Sequence, residues 1–356
     1  MSSWKNVVGL LLLGVCLFIP AMTSKASSDL TIDIARIGDV KEQEIGDADA
    51  MLVGFNGSYM VVDTGRDIQA HKDTLKKMLT ERDILKNKKI TAVTITHFDG
   101  DHVGGFPALL TLAKTNKVNI YRVYARNYDK TQLEYLQKNR SVTYVHYIKF
   151  LNAIASYATY NGSVKEVKAA STTDVNTVYN FSKDLKDNSK NVNGNKFWIS
   201  PSRTSNTDFL LGGTAQVEWL NRNASYLQTE GNVAKAANEV NNDSLVFKIT
   251  SGTKSMIFLG DIAGQASTDL INSNKNLKAT AVKIAHHGWS GSTSLDLMTK
   301  IDPSFSVVTT ADASRLAHMK NKNVGNLYYV GKVSLGITTI TFNTTQRISN
   351  YIKYEF

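Results

Sequence analysis

From residue 30 the chain begins to alternate, with Leu30, Ile32 and Ile34 set against Thr31 and Asp33, and this pattern predicts a strand over Leu30–Ile37. Met51–Phe55 and Tyr59–Asp63 read as two more strands, joined through Asn56-Gly57-Ser58, a strong hairpin signal. Thr74–Asn87 carries Leu75, Met78, Ile84 and Leu85 with lysines between them, the spacing of an amphipathic helix. The β-branched run Ile90–Thr96 predicts a buried strand, and Gly105–Lys114 a short helix. Strand, helix and strand in this order form the half-unit of two sheets sandwiched between helices. Val118–Tyr124 reads as a further strand and Thr131–Tyr160 as a broken helix. Asp184–Asn195 reads as a polar loop and Leu210–Leu220 as a hairpin about Gly212-Gly213. Gln228–Glu239 is a polar connection. Ser255–Asp261 and Ala279–Ala285 are apolar strands that end in polar groups, followed by a helix over Leu295–Ile301, a strand over Phe305–Thr310 and closing strands within Asn326–Phe342.

The densest chemistry sits where one of these strands stops. Thr94-Ile-Thr-His-Phe-Asp-Gly-Asp-His-Val-Gly-Gly105 places His97, Asp99, Asp101 and His102 within six positions, on a loop that Gly100, Gly104 and Gly105 let turn sharply. Imidazole nitrogens mixed with carboxylate oxygens suit Zn²⁺ or, with more oxygen, Mn²⁺. His71, His146 and His318 fit no such pattern and read as ordinary surface or packing histidines.

The full chain has 356 residues, 42% hydrophobic and 20% charged, enough for a large core in one domain or a domain with an insertion. Residues 1–26 stand apart. Lys5, the apolar run Val7–Pro20 and the small residues Ser24 and Ala26 read as a secretory signal peptide cleaved near Ala26, leaving residues 27–356 as the mature domain. Cys16, the only cysteine, lies in that leader, so cysteine ligation and disulfides are excluded from the mature protein. The formal charge of +10 becomes +8 without Lys5 and Lys25, a balance that favours anionic partners such as nucleic acid, wall polymer or a membrane surface. Residues 121–200 hold 12 Lys and Arg against six acids and nine of the 15 tyrosines. Basic groups interleaved with aromatics can hold phosphate while stacking on bases or caging a quaternary ammonium. The same tyrosines can equally form a packing face with a solvated basic edge.

His97-x-Asp99-x-Asp101-His102 followed by Gly104-Gly105 resembles the signature of the metallo-β-lactamase-fold hydrolases, with Asp99 at the usual second histidine. That variant is similar to the hydrolase domain of ComEC-type competence proteins, and the resemblance runs from about Leu30 to the last strands. It implies an α/β fold, an αββα four-layer sandwich, here with a basic, Tyr-rich insertion at about 125–205. In the family, the Asp of Asp63-Thr64-Gly65 supports the site from beneath. Asn241-Asn-Asp-Ser resembles the variant in which an Asn/Ser turn replaces the third-motif histidine, and no histidine lies between His146 and His286. Asn241 and Asp243 either lean toward the site from that turn or shape it. Gly260-Asp261 matches the family's bridging carboxylate. His286-His287-Gly288-Trp289-Ser290 resembles the double-histidine end motif of the ComEC-like branch and of phosphorylcholine esterases. By that resemblance His287 binds metal and His286 faces a substrate phosphate, an order that strand geometry alone leaves open. Trp289 walls the pocket beside Ser290.

The implied centre is one or two divalent ions, Zn²⁺ or Mn²⁺, held by His97, Asp99, Asp101, His102, Asp261 and His287. Asp101 also orients the water, and His286 donates to a substrate oxygen. The expected activity is that of a secreted phosphodiesterase or nuclease acting on an anionic substrate, nucleic acid or a cell-wall phosphodiester. Three alternatives follow in order: a phosphorylcholine or teichoic-acid esterase, a non-catalytic polymer-binding protein, and a lactonase or β-lactamase. No protein partner is indicated.

Overall fold

The computed structural model describes residues 29–36, 47–160, 174–187, 207–222, 224–227, 233–310, 312–330, 336–342, 347–349 and 352–354. The expected leader at 1–26 lies outside the described residues, as does most of the expected polar loop; the helix Val175–Asp187 takes its start. Among the described residues, no helix is long and apolar enough to cross a membrane.

Two mixed sheets stack face to face. The first has seven strands in the order Arg347–Ser349, Gly336–Phe342, Leu30–Arg36, Ala50–Phe55, Ser58–Thr64, Ala92–Thr94 and Val123–Tyr124. The second has eight, in the order Ile352–Tyr354, Asn326–Tyr329, Phe305–Val308, Ala281–Lys283, Lys254–Phe258, Phe247–Ser251, Ala215–Trp219 and Thr207–Leu211. The alternation in the sequence decides which side chains meet between them. Ile32, Ile34, Val53, Met60 and Val62 of the first sheet pack against Val217, Phe247, Ile249, Met256 and Phe305 of the second. The opposite faces are apolar too, and each is covered by helices. Leu75, Met78, Leu109 and Leu110 cover the first sheet, while Ala266, Leu270, Leu297 and Met298 cover the second. These four layers are the expected αββα sandwich.

The parallel strands position the chemistry. Ser58–Thr64, Ala92–Thr94 and Val123–Tyr124 run parallel in one sheet, and Lys254–Phe258, Ala281–Lys283, Phe305–Val308 and Asn326–Tyr329 do so in the other. Their carboxyl ends carry Asp63, His97, Asp261, His287 and Thr309, and in sheets of this kind that end is where ligands bind.

The insertion supports the motif loop from behind. Helices Lys130–Asn139, Ser141–Tyr160 and Val175–Asp187 pack with Phe106–Thr115 on the outer face of the first sheet. Tyr128, Tyr144, Tyr147 and Tyr157 are buried there. Phe98, between His97 and Asp99, sits 4.8 Å from the Tyr147 ring, 5.0 Å from Phe150 and 5.5 Å from Tyr128, centroid to centroid. These tyrosines are thus a packing face. Burying Phe98 contributes roughly 1.5–3 kcal/mol toward fixing the loop.

Two helices differ from expectation. The helix expected over Thr74–Asn87 is Gln69–Glu81 followed by a single turn, Ile84–Asn87, because Asp83 at φ 54° breaks the ladder. The polar connection Gln228–Glu239 gives way to a helix, Val233–Asn242, whose Val240 is buried.

Candidate metal centre

Three imidazoles reach the same point, and each is aimed by a bond to its far nitrogen. His102 Nδ1 lies 2.8 Å from Asp63 Oδ2, and Asp63 also accepts from Thr96 N at 2.7 Å and Thr96 Oγ1 at 2.8 Å. His287 Nδ1 lies 3.0 Å from the Thr309 carbonyl and 3.1 Å from its hydroxyl. His97 Nδ1 lies between Thr96 Oγ1 at 3.2 Å and Ser244 Oγ at 3.3 Å. With Nδ1 engaged, Nε2 of each ring is the atom that faces the centre.

Asp261 Oδ2 is the hub. It lies 3.2 Å from His102 Nε2, 3.4 Å from His287 Nε2 and 4.0 Å from His97 Nε2. Asp101 Oδ2 closes the set at 3.7 Å from His287 Nε2. His102 Nε2 and His287 Nε2 are only 3.2 Å apart. A proton shared between the two rings or with Asp261 can hold this contact, and once both nitrogens are unprotonated their lone pairs and the carboxylate oxygen converge on one point that a cation fills. His97 Nε2 is buried without a hydrogen-bond partner. An orphaned buried nitrogen, converging lone pairs and a nitrogen–oxygen donor set together fit Zn²⁺ or Mn²⁺. His97, His102 and Asp261, and separately Asp101, His102 and His287, have ligand atoms within 4.8 Å of one another.

The charges are mutually adjusted. Burial pushes the Asp261 carboxyl up, but His102 and His287 outweigh it and hold it well below the usual carboxylate range. Burial pulls His102 down, yet Asp261 and Asp63 raise it well above an ordinary histidine. His97 is lowered by burial and by the neighbouring His102.

Local sequence dictates why the elements can approach so closely. A Cβ on Gly105 would stand 2.2 Å from the Thr64 carbonyl oxygen, so the second motif glycine lets the helix start sit on the Asp63-Thr64-Gly65 strand end. Gly260 adopts φ 54° against Ser244, where a Cβ would meet the serine Cβ at 2.6 Å. That turn lets Asp261 N donate to Ser244 Oγ at 3.0 Å. His286 and His287 both take φ 48°, strained for residues with a side chain, in the short 3₁₀ turn that presents them.

Other residues singled out in the sequence fall around this centre. Asp99 does not turn inward: Arg140 Nη2 lies 3.1 Å from each of its carboxylate oxygens, and Thr143 Oγ1 donates to it at 2.7 Å. His286 is at the rim, its side chain 27% exposed, with Nε2 3.9 Å from Asp261 Oδ2 and 3.4 Å from Asn241 Nδ2. Burial lowers its pKa. Asp243 faces away from the centre and accepts from Tyr226 N at 3.2 Å. Trp289 is 46% exposed beside His286, its other neighbour being the Arg315 guanidinium, 4.1 Å from the ring centroid. Ser290 is exposed. His146 presses on the motif loop, where a Cβ on Gly100 would meet its Cε1 at 2.6 Å, and His71 Nδ1 accepts from Arg66 N at 2.9 Å.

Several residues of the centre carry no motif. Asp49 accepts from Thr309 Oγ1 and pairs with Lys283, a lysine with no solvent exposure. A lone lysine in the apolar strand Ala281–Lys283 was the available signal. Burial pulls the Lys283 ammonium down, and Asp49 and Asp261 more than restore it. Arg66 Nη2 reaches Asp101 Oδ2 at 3.4 Å from the rim, and its Nε donates to the Asp47 carbonyl at 3.2 Å.

Residues 45–147 match the family model of the Metallo-beta-lactamase superfamily. ComE operon protein 3 of Bacillus subtilis is 30% identical over 82 residues, which are 23% of this chain and 11% of that protein. Lactamase-like protein aptB of Emericella nidulans is 32% identical over 97 residues, 27% of this chain and 30% of that protein. The matches therefore span less than a third of the length of these curated relatives. Among solved structures, the metallo-beta-lactamase fold protein YhfI of Bacillus subtilis superposes with a TM-score of 0.47 at 10% identity, covering 88% of this chain and 100% of that one.

Proposed function

Because the chain carries a metallo-beta-lactamase superfamily domain, we propose that it is a metal-dependent hydrolase of phosphodiesters. The observation that carries this reading is the convergence of His97, His102, His287, Asp101 and Asp261 on one buried point beneath a rim of cationic and hydrogen-bonding side chains. A divalent ion held there would supply Lewis acidity and lower the pKa of water to about 7.

The chain's own residues do the rest. Asp63 and Thr309 fix the tautomers of His102 and His287, so their Nε2 lone pairs stay available. Asp101, the ligand nearest the rim, accepts the proton of the attacking water, and His102 and His287, with a smaller contribution from Arg66, outweigh burial and hold its carboxyl below the usual range. Arg66 also offers donors to a non-bridging phosphoryl oxygen. His286, neutral near pH 7 and bonded to Asn241, hydrogen-bonds a second oxygen of the substrate. A rim built from arginine and histidine favours an anionic substrate over a neutral lactam or lactone.

The rim also bears on the choline ester alternative. Trp289 is its exposed aromatic, and the Arg315 guanidinium already lies against that ring. That guanidinium is paired with Asp47 and occupies a face of the ring, so the face is already taken where a quaternary ammonium would have to stack. The preferred substrate is accordingly a nucleic-acid-type phosphodiester.

Turnover of bis-p-nitrophenyl phosphate, single-stranded DNA, p-nitrophenyl phosphorylcholine and nitrocefin by the same preparation tests this order. The first two are expected to lead. Faster hydrolysis of phosphorylcholine or of nitrocefin overturns the substrate class.

A further inference from the structure

We propose that the centre takes a single divalent ion, and that the buried ammonium of Lys283 stands where a second cation would otherwise be needed; this rests on the metal-dependent reading above. Three observations converge on it.

The first is the orientation of Asp261. A carboxylate spans two ions by giving one oxygen to each, but only Oδ2 of Asp261 faces the three imidazoles. Oδ1 is buried without a hydrogen-bond partner and is turned toward Lys283 Nζ, 4.0 Å away. Lys283 is itself fixed by Asp49 on its other side. Asp261 therefore lies between one ion site and one fixed protein cation.

The second is the geometry of the donors. Ligand atoms sharing one ion at about 2.1 Å stand roughly 3.0–3.5 Å apart. The distances along His102, Asp261, His287 and Asp101 are 3.2, 3.4 and 3.7 Å, with His97 at 4.0 Å from the hub. His102, Asp261 and His287 stand at one-ion spacing, while Asp101 and His97 lie slightly beyond it on either side. A pair of ions about 3.5–4 Å apart needs two complete groups of ligands, but the two triads here, His97/His102/Asp261 and Asp101/His102/His287, both depend on the one Nε2 of His102, Asp99 is held by Arg140 and Thr143, and no histidine lies between His146 and His286 to replace it.

The third is charge. Asp49, Asp63, Asp101 and Asp261 bring four negative charges to the pocket, while Lys283 and Arg66 return two. One divalent ion neutralises the remainder. A second leaves two uncompensated positive charges in a water-poor interior, which is costly.

The test uses the full mature chain loaded with Mn²⁺, passed through a desalting column and analysed for metal per chain, together with its electron paramagnetic resonance spectrum. The proposal expects one manganese per chain and the six-line signal of isolated ions. Two manganese ions per chain with an exchange-coupled multiline signal would overturn it. No retained manganese or zinc would remove the metal-dependent reading and the proposal with it. Lys283→Ala, which deletes the ammonium and leaves space between Asp49 and Asp261, is expected to raise the stoichiometry toward two. A folded Lys283→Ala protein that still binds one ion would show that Lys283 does not replace a cation. If that variant does not fold, the wild-type measurement decides alone.

Discussion

Asp63→Asn isolates the support beneath the metal centre with minimal change of shape. Asp63 is fully buried and accepts from Thr96 N, Thr96 Oγ1 and His102 Nδ1 at 2.7–2.8 Å. Its backbone is left-handed at φ 54°, a region asparagine tolerates as well as aspartate, so the substitution adds no backbone strain. The amide can still accept from Thr96 N, but its NH₂ then opposes the two remaining donors. His102 either loses its Nδ1 bond or moves the proton to Nε2, where it blocks the lone pair needed for a metal. Loss of such a supporting partner typically costs 10–100-fold in metal affinity, about 1.4–2.7 kcal/mol. Titration against a chromophoric zinc chelator measures the affinity directly, and a melting curve taken in chelator separates it from fold stability. An Asp63→Asn protein that binds metal within about twofold of wild type would refute the argument that Asp63 governs the His102 tautomer.

The two adjacent histidines make a sharper contrast. His287→Ala is expected to lower bound metal by an order of magnitude or more, whereas His286→Ala retains it and loses turnover; equal metal content in the two variants would reverse or erase these roles. Asp101→Ala is expected to fold with a near wild-type melting temperature and lose at least 100-fold in rate; near wild-type turnover would remove it from proton transfer. His71, 4% exposed, predicts a pH dependence of stability. Burial and then Arg66 lower its pKa from 6.5 to about 4, so the folded state resists protonation and the unfolded state accepts it. No penalty exists above pH 6.5. Stability falls as the pH drops through that value and the loss is complete near pH 4, at about 3 kcal/mol in all. His71→Phe is expected to show a flatter stability profile across this window in urea titrations, and parallel profiles would contradict the assignment.

Much of the centre was legible because its chemistry is local. His97, Asp101 and His102 share one loop, and His286 and His287 share one turn, so residue type and spacing expose them without a fold. The ends of the apolar strands also told where Asp63 and Asp261 would sit. Long-range partners told more than spacing could. Asp99 reads as a ligand by its place in the motif, yet Arg140 and Thr143, 41 and 44 residues later, claim its carboxylate. Asp49 and Lys283 lie far apart in sequence and meet only when the two sheets stack. The tyrosines after residue 120 suited a binding face or a packing face equally. Burial of Tyr128, Tyr144, Tyr147 and Tyr157, with Tyr128 and Tyr147 against Phe98, makes them the latter, an outcome that depends on helices folding back over the sheet.

The central claim is that the buried His/Asp cluster makes this chain a metal-dependent phosphodiester hydrolase. Its most direct measurement is hydrolysis of bis-p-nitrophenyl phosphate by purified protein from residue 27 onward, after exhaustive chelation and again after stepwise return of Mn²⁺ or Zn²⁺. Loss of turnover on chelation and its recovery as metal fills the site is the predicted result. Turnover that persists undiminished in the metal-free protein, or a folded and metal-loaded protein that leaves the ester intact, would contradict it.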